Sequence, residues 1–320
     1  MSDPVLNIYD DTNDYDVTTS KAMGGTELSY KWMSERVDPD LLDKFQIICS
    51  RLRRIEDKPR IFWVHDTADD PEVQFLKNDP QKINLFETIV FVSNWQQQQF
   101  AMYLGVPWEK GVVIQHAIEP FPIHEKPKDE KIRLVYASTP HRGLDVLLEA
   151  FELLDRDDVI LEVFSSFKIY DREQMDEPFK ELYDRAREMK NVIYHGSKSN
   201  EAVRMAMQRS HILAYPSCYP ETACITAIEA MSAGLICVLP NLAALPETCA
   251  NFAWMYNYTA NKKEHARVFA GVLEGAVTQY WDNSLQGILK TQKAYFDLFY
   301  SWDNRVYKWN QLMQSILAQK

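Results

Sequence analysis

The sequence predicts an α/β protein with two doubly wound parallel domains. The chain has 320 residues, which is more than one ordinary hydrophobic core holds. Short apolar segments of strand length alternate with segments of helical periodicity along both halves, as parallel βα units require. The alternation stops once, at Glu119–Lys131, where three prolines and seven charges leave no element that fits. Two α/β domains joined by a linker follow from these observations.

In the first half, short apolar runs predict five strands. They are Val5–Tyr9, Gln46–Cys49, Arg60–Val64, Ile89–Val92 and Val112–Ile114. Helical spacing is clear at Glu27–Arg36, where Leu28 and Trp32 share a face. A second helix is expected to begin after Ser93 and to end at Gly105, because serine caps helix starts and glycine takes the left-handed turn that ends them.

In the second half, the same alternation predicts five further strands, four helices and a helical C-terminus. The strands are Ile132–Ala137, Val159–Phe164, Asn191–Tyr194, Ile212–Tyr215 and Leu235–Leu239. The helices are Leu144–Leu154, Gln174–Met189, Asn200–Gln208 and Ile225–Ala233. The sequence also predicts that the chain is helical after about Glu264.

These elements set the predicted domain bounds. The first Rossmann-like domain spans residues 1–122, the linker 123–131 and the second Rossmann-like domain 132–285. Helical residues 286–320 are expected to return to the first domain. In doubly wound folds ligands bind beyond the carboxyl ends of the strands, so two such domains would face a cleft that holds the ligand.

Composition excludes several classes of protein. The net charge of −11 gives no general attraction to a phosphate backbone, so we expect no nucleic-acid partner. No apolar run approaches the ~20 residues of a transmembrane helix. The N-terminus is acidic where a signal peptide would be basic, and the five cysteines form no CxxC pair. A cytoplasmic protein with reduced cysteines is therefore expected.

The segment Ala214–Gly234, AYPSCYPETACITAIEAMSAG, carries the most chemical information. A strand, a proline-bounded loop and a helix follow one another there. Glu221 lies where the helix begins, and Glu229 is eight residues further on. Backbone N–H groups of a first helical turn lack intrahelical partners and favour an anion. The layout suits a ligand with hydroxyls at both ends and a phosphate between them, which is the form of a sugar nucleotide.

This segment resembles the E-x7-E motif of retaining glycosyltransferases with two Rossmann-like domains (the GT-B fold), and is most like family 4. Further blocks are similar to that family in the same order. They are MGGTEL from Met23, FVSNW from Phe91, VVIQHAIEP from Val112, YASTPHRGLDVLLEAF from Tyr136, NVIYHG from Asn191 and SWDNRVYKW from Ser301. The resemblance therefore covers most of the chain.

The resemblance implies roles for the residues of the motif. Glu221 would bind hydroxyls of the donor sugar, and Glu229 those of the ribose. The backbone of four residues would reach the sugar and the phosphates: Thr222, Ala223, Cys224 and Ile225. As alternatives, Glu221 complements the helix dipole and Glu229 is a solvated helix residue. Glu229 lies among small and apolar residues, where an unpaired carboxylate is costly.

A cation is needed where the diphosphate leaves, because negative charge grows there. The family has an Arg and a Lys after the first strand of the second domain. Arg142 occupies the Lys position, whereas Ser138 or Thr139 occupies the Arg position in a shortened loop. One of two expected cations is thus missing, and the fork of Arg142 with hydroxyl groups would have to suffice. The alternative is that Arg142 is a surface cation.

The resemblance also implies contributions from other loops. Gly24 and Gly25 would allow close approach of the backbone to the phosphates. His65, at the end of a strand in the first domain, would contact the sugar or the acceptor, with Asp66 as a weaker candidate. Three residues would lie beside the base: Tyr194, Gly196 and Ser197. An ordinary βα turn and a structural histidine are the alternatives. His116 replaces the family asparagine.

The activity implied is transfer of a hexosyl or pentosyl group from a UDP- or GDP-sugar to a hydroxyl of a glycan or similar acceptor, with retention. No cofactor and no divalent metal would be required, and no metal-ligand spacing is found among the histidines. Two alternatives remain open: a non-catalytic protein that binds sugar nucleotides, and a sugar-nucleotide epimerase of the same fold.

Overall fold

The computed structural model describes residues 24–126, 128 and 131–319. The described chain divides into two compact units. The first runs up to Ala117 and includes the C-terminal segment from Trp302, and the second is Ile118–Ser301. The predicted strand Val5–Tyr9 and Met23 lie outside the described residues.

The first unit contains a four-stranded parallel sheet. Its strands are β1 (Gln46–Cys49), β2 (Arg60–Trp63), β3 (Thr88–Phe91) and β4 (Gly111–Val113), in the order β1-β2-β3-β4. Its helices are α1 (Gly25–Ser34), α2 (Pro39–Leu42), α3 (Pro80–Ile83), α4 (Asn94–Leu104) and α12 (Trp302–Ala318). Short 3₁₀ turns lie at Pro71–Leu76 and Trp108–Lys110. The four strands predicted after residue 23 are therefore present, each within about one residue of its expected bounds.

The ends of α4 confirm the predicted capping. The Ser93 side chain accepts a hydrogen bond from the Gln96 N–H at 3.1 Å, and Gly105 has the left-handed φ of 69°. Buried Phe91 and Phe100 pack edge to face behind this helix, with ring centroids 5.1 Å apart. An amphipathic helix with both ends fixed in this way holds one face of the sheet.

Helix α12 packs within the first unit. The Trp309 ring lies against Trp63 of β2, with centroids 4.9 Å apart. Buried Arg305 donates from Nε to the carbonyl oxygens of Gln115 at 2.7 Å and His116 at 3.1 Å. The C-terminal helix thus belongs to the core of this unit although it follows the second unit in the chain.

The second unit contains a six-stranded parallel sheet. Its strands are β5 (Ile132–Ala137), β6 (Val159–Phe164), β7 (Val192–Tyr194), β8 (Ile212–Ala214), β9 (Ile236–Asn241) and β10 (Trp254–Asn257). Its helices are α5 (Leu144–Leu154), α6 (Lys180–Glu188), α7 (Asn200–Arg209), α8 (Ile225–Ser232), α9 (Leu245–Cys249), α10 (Lys262–Gln279) and α11 (Asn283–Phe299). The strand order is β10-β9-β8-β5-β6-β7. The chain runs outward from β5 to β7 and returns on the other side of β5.

Two predictions for this unit need correction. The helix expected at Gln174–Met189 is wrong at its start, because Pro178 lacks an N–H donor and leaves a 3₁₀ segment at Glu173–Phe179 before α6. None of the predicted strands covers β10, the edge strand with the sequence WMYN. No helix among the described residues is long and apolar enough to cross a bilayer.

Candidate active site at the β5–β8 switch point

The topology of the second sheet creates a binding position between β5 and β8. These strands are neighbours, yet the chain leaves them toward opposite edges of the sheet. At such a switch point the two loops that follow the strands separate and leave a crevice at their carboxyl ends. The loop after β5 carries Ser138–Gly143, and the loop after β8 carries Tyr215–Cys224. The crevice therefore collects residues that the sequence placed in separate motifs.

The structure brings Glu221 and Arg142 into direct contact. Nη1 of Arg142 donates to Glu221 Oε1 at 3.0 Å and to Oε2 at 3.2 Å. The hydroxyl of Tyr215 also donates to Oε1 of Glu221. The Glu221 side chain is only 6% exposed, and these two donors supply hydrogen bonds to the buried carboxylate. Burial, together with Glu221, raises the pKa of Tyr215 well above its usual value, so this hydroxyl stays protonated and can donate.

Tyr215 was not assigned a role from the sequence. It stands at the end of β8, immediately before the loop that carries Glu221, and its ring packs 5.8 Å from that of Tyr136. Its hydroxyl lies 3.4 Å from Oγ of Ser138 as well. A polar aromatic residue at the end of a buried strand was the available signal, because a buried tyrosine hydroxyl normally has a partner.

Arg142 keeps donor capacity that the protein does not use. Its guanidinium lies over the Tyr219 ring at 4.5 Å from the centroid, so the ring holds the plane of the fork. Its Nε is buried and has no hydrogen-bond partner within the described chain. A buried, unsatisfied N–H on a cation costs free energy unless a ligand completes it. The guanidinium is thus prepared for an anion.

Two hydroxyl groups at the same sheet edge are likewise buried without a hydrogen-bond partner among the described residues. Thr139 Oγ1, after β5, and Ser165 Oγ, after β6, are buried and have no partner among the described residues. The two strands are in register, with Ala137 opposite Phe164, and the Ser138 N–H donates to the Phe164 carbonyl at 3.2 Å. Two buried hydroxyl groups without a partner among the described residues therefore lie at the sheet edge from which the loop of Arg142 begins.

Gly143 allows the two loops of the crevice to approach closely. Its φ is +116°, and a Cβ atom there would lie 2.2 Å from the carbonyl oxygen of Pro216. The Cys218 N–H donates to the Arg142 carbonyl at 3.4 Å in the same contact. The absence of a side chain at position 143 therefore sets the distance from Arg142 to the loop that carries Glu221.

We expect Gly143→Ala to lower the free energy of unfolding by about 2–5 kcal/mol, because it combines a left-handed backbone with overpacking against a carbonyl. Urea unfolding followed by tryptophan fluorescence measures it. Gly271→Ala in α10 is the matched control, since nothing lies within 4 Å of a Cβ there. That control should be neutral or stabilise by up to about 1 kcal/mol. Equal stability of the two variants would contradict the close approach.

Helix α8 begins at the crevice. Cys224 is its N-cap residue without a side-chain cap, and the N–H groups of the first turn from Ile225 are not used in the helix. Thr222 and Cys224 are buried, whereas Ala223 and Ile225 are partly exposed. Of the four backbone positions expected to reach a sugar and its phosphates, Thr222 and Ala223 thus lie in the loop, Cys224 caps α8 and Ile225 begins it.

Glu229 lies on α8 and is buried and ion-paired. Its side chain is 5% exposed, and Nη1 of Arg204 on α7 donates to its Oε1. Burial raises the pKa of Glu229, and the charge of Arg204 opposes that shift. The alternative of a solvated helix residue is excluded by this burial. Nothing in the local sequence marked Arg204, because the pairing depends on how two helices pack.

The loop after β7 is fixed from two sides. The Tyr194 hydroxyl donates to the Ser165 carbonyl at 2.7 Å, and the Ser165 N–H donates to the Gly196 carbonyl at 3.1 Å. His195 Nε2 lies 2.9 Å from Oε2 of buried Glu162. Ser197 follows, partly exposed. The loop is thereby joined to the sheet edge that carries the unsatisfied Ser165 hydroxyl.

The remaining predicted site residues lie in the first unit. Gly24 is the N-cap residue of α1, and Gly25 is its first residue. His65 follows β2, and its N–H donates to Ser50 Oγ at 2.9 Å. Burial, with a smaller effect of His116, holds the pKa of His65 well below its usual value. The glycines open a helix as expected, and His65 is a neutral imidazole at neutral pH.

His116 lies close to His65. The two rings are 5.3 Å apart, and Nδ1 of His116 lies 3.1 Å from Ser29 Oγ of α1. Burial, and then Arg305, lowers the pKa of His116 to about 3. The described residues contain no group of three or more His, Cys, Asp or Glu that could hold a metal ion.

A family model of known proteins matches most of the second unit. Residues 117–275 match the family model of glycosyl transferases group 1. This match contains Arg142, Glu221 and Glu229. No curated protein sequence matches the chain.

Solved structures share the fold at low identity. The structure is similar to a glycosyltransferase from Rickettsia africae ESF-5, with TM-score 0.68 and 16% identity over 98% of this chain and 85% of that one. It is similar to Anabaena HepE in complex with UDP and glucose, with TM-score 0.60 and 18% identity over 82% and 72% of the two chains. It is also similar to sucrose-phosphate synthase from Thermosynechococcus elongatus, with TM-score 0.63 and 14% identity over 87% and 74%. These likenesses confirm the predicted fold class of two parallel α/β sheets.

Proposed function

We propose that this chain, whose residues 117–275 belong to the group 1 glycosyl transferases, transfers a sugar from a nucleotide-diphosphate sugar to an acceptor hydroxyl with retention of configuration. The observation that carries the proposal is the contact of Glu221, Arg142 and Tyr215 at the switch point of the sheet. A carboxylate for hydroxyls and a cation for phosphate meet there beside a helix start.

The donor would contact the groups that line the crevice. Its diphosphate would take the unused Nε of Arg142, the hydroxyl of Thr139 and the first-turn N–H groups of α8. Hydroxyls of its sugar would donate to Glu221, and the ribose hydroxyls to Glu229. The charge that grows on the leaving diphosphate would then meet donors already in position, which is the largest single source of catalysis in such sites.

Glu221 is proposed to position the sugar and not to attack it. Both of its oxygens accept hydrogen bonds from the Arg142 guanidinium, and Oε1 also accepts one from Tyr215. Lone pairs engaged in this way make a poor nucleophile. In the proposed reaction the bond from the anomeric carbon to the diphosphate oxygen breaks, and the acceptor oxygen bonds to that carbon from the same face. The acceptor proton passes to a phosphate oxygen.

His65 is proposed to contact the sugar or the acceptor as a neutral hydrogen-bonding group. A histidine whose pKa is held well below its usual value carries no charge at pH 7. Gly24 and Gly25 would supply backbone N–H groups toward phosphate, and Tyr194, Gly196 and Ser197 would border the base. We further propose that no divalent metal is needed and that the protein is cytoplasmic, as its five free cysteines suggest.

A panel of UDP-, GDP- and ADP-sugars tests the proposal by thermal shift and by release of nucleotide in the presence and absence of EDTA. One donor should raise the melting temperature, since a ligand that binds only the native state stabilises it by RT ln(1 + [L]/Kd). UDP-glucose is the first donor to test, because HepE was solved with UDP and glucose.

The outcomes separate the alternatives. Donor binding with transfer to an acceptor that is unaffected by EDTA supports the full proposal. Donor binding without turnover indicates a sugar-nucleotide-binding protein, and conversion of the donor to an isomeric sugar nucleotide indicates an epimerase. A chain that binds none of the donors contradicts the site itself.

A further inference from the structure

The guanidinium of Arg204 makes three contacts, and one of them is with the carboxylate of Glu229. Its Nη1 donates to Oε1 of Glu229, and its Nη2 donates to the Glu119 carbonyl at 2.8 Å. Its guanidinium lies 3.9 Å from the centroid of the Phe121 ring. The side chain is 21% exposed, so most of the cation is shielded from water. Three partners on two segments, α8 and residues 119–121, leave the guanidinium few alternative orientations.

The segment that holds Arg204 is itself attached to the end of the helix that carries Glu229. The Phe121 N–H donates to Ser232 Oγ, the last residue of α8, at 3.1 Å. Nζ of Lys293 on α11 donates to the carbonyls of Phe121 at 2.5 Å and Ser232 at 2.8 Å. A cation at the C-terminal end of a helix also interacts favourably with the helix dipole. The segment that contacts Arg204 and the helix that carries Glu229 are thereby joined by hydrogen bonds.

Glu229 depends on Arg204 for its charge. The carboxylate is 5% exposed, and burial disfavours its ionised form. An ionised carboxylate accepts hydrogen bonds at both oxygens, whereas protonation would turn one of its oxygens into an O–H donor. The ion pair uses Oε1, which leaves Oε2 as the acceptor that Arg204 does not occupy.

We propose that Arg204 is a positioning residue for ribose recognition: it keeps Glu229 ionised and turns its second oxygen toward the ribose hydroxyls of the donor nucleotide. This inference rests on the proposed function, because it assumes that a nucleotide binds at the start of α8. Arg204 itself acts through Glu229. Its removal should therefore weaken only the contribution of the ribose hydroxyls to binding.

Calorimetric titration with a matched pair of nucleotides tests this role. UDP and GDP are each compared with their 2′,3′-dideoxy forms, which lack the hydroxyls, and the base that the wild-type chain binds more tightly is used. The wild type should prefer the ribose form by about 10- to 100-fold, since hydrogen bonds to a charged group are the strong ones. Arg204→Met should reduce this preference to below about threefold and leave the affinity for the dideoxy form unchanged.

Arg267→Met is the matched control, because Arg267 pairs with Glu264 on an exposed helix face. It should keep the full preference. Equal loss of affinity for both nucleotides in Arg204→Met would overturn the positioning role, as would an unchanged preference. If the methionine variant does not fold, Arg204→Lys is read instead. Lysine keeps the charge without the planar fork, so an intermediate preference supports the role and an equal loss of affinity for both nucleotides overturns it. A wild-type chain that binds neither UDP nor GDP contradicts the proposed function, and the role of Arg204 with it.

Discussion

Glu221→Gln is expected to lower turnover by about 100-fold or more while the chain stays folded. The substitution keeps the size of the side chain and removes its charge. One of the two positions that now accept from Arg142 and Tyr215 becomes an NH₂ group, which cannot accept. The donor sugar would lose its anionic hydrogen-bond acceptor where charge separates most strongly.

Initial rates with the donor found in the panel measure this effect, and the melting temperature of each variant reports folding. Glu201→Gln is the matched control, because Glu201 is exposed in the first turn of α7 and far smaller consequences are expected there. Tyr215→Phe should give an intermediate loss, since it removes one of the donors that orient Glu221. Turnover within about threefold of wild type in Glu221→Gln would remove Glu221 from the site.

For Glu221→Gln we also expect that the affinity for UDP alone does not fall. In the structure the guanidinium of Arg142 is paired with Glu221. Neutralising Glu221 releases that charge, so UDP, which has no sugar to lose, should bind as tightly as to the wild type or more tightly. Weaker binding of UDP would mean that Glu221 contacts the nucleotide.

Much of the fold could be predicted because its causes are local in sequence. Alternating apolar strands and amphipathic helices identified the parallel sheets, and Ser93 and Gly105 fixed the ends of α4. The prediction of a helix at Gln174–Met189 was wrong for a local reason, because Pro178 lies within that range and disfavours an α-helix there. The edge strand β10 has no alternation strong enough to mark it.

The candidate site could be predicted as a set of residues but not as a set of contacts. The sequence motifs predicted that Glu221, Glu229 and Arg142 serve one site, without indicating which charges pair. The pairs depend on packing between distant segments: Arg142 with Glu221, 79 residues apart, and Arg204 with Glu229 on a neighbouring helix. Tyr215 was missed for the same reason, since only the path of the loop turns Glu221 back to its hydroxyl.

Arg142→Ala is expected to lower turnover by about 100-fold or more and also to weaken binding of the diphosphate. Arg142 is the guanidinium proposed to meet the diphosphate at this sheet edge, and Ser138 and Thr139 offer only neutral hydroxyls there. The gain in affinity from uridine to UDP isolates the diphosphate contact. It should fall in Arg142→Ala and be retained in Glu221→Gln. Arg142→Lys should recover part of it, because lysine supplies the charge without the fork. An unchanged gain in Arg142→Ala would place the diphosphate elsewhere.

Stability and activity should separate when both partners are removed. Arg142→Ala leaves Glu221 as a buried carboxylate without its cation, which costs about 2–4 kcal/mol of folding free energy. Adding Glu221→Gln removes that uncompensated charge, so the double variant should unfold at higher urea than Arg142→Ala alone. Its turnover should nevertheless remain as low as that of the weaker single variant, because residues in contact act as one unit and their effects do not add. If the double variant instead regained turnover together with stability, the loss in Arg142→Ala would be a defect of folding, and Arg142 would hold the loop and not the leaving group.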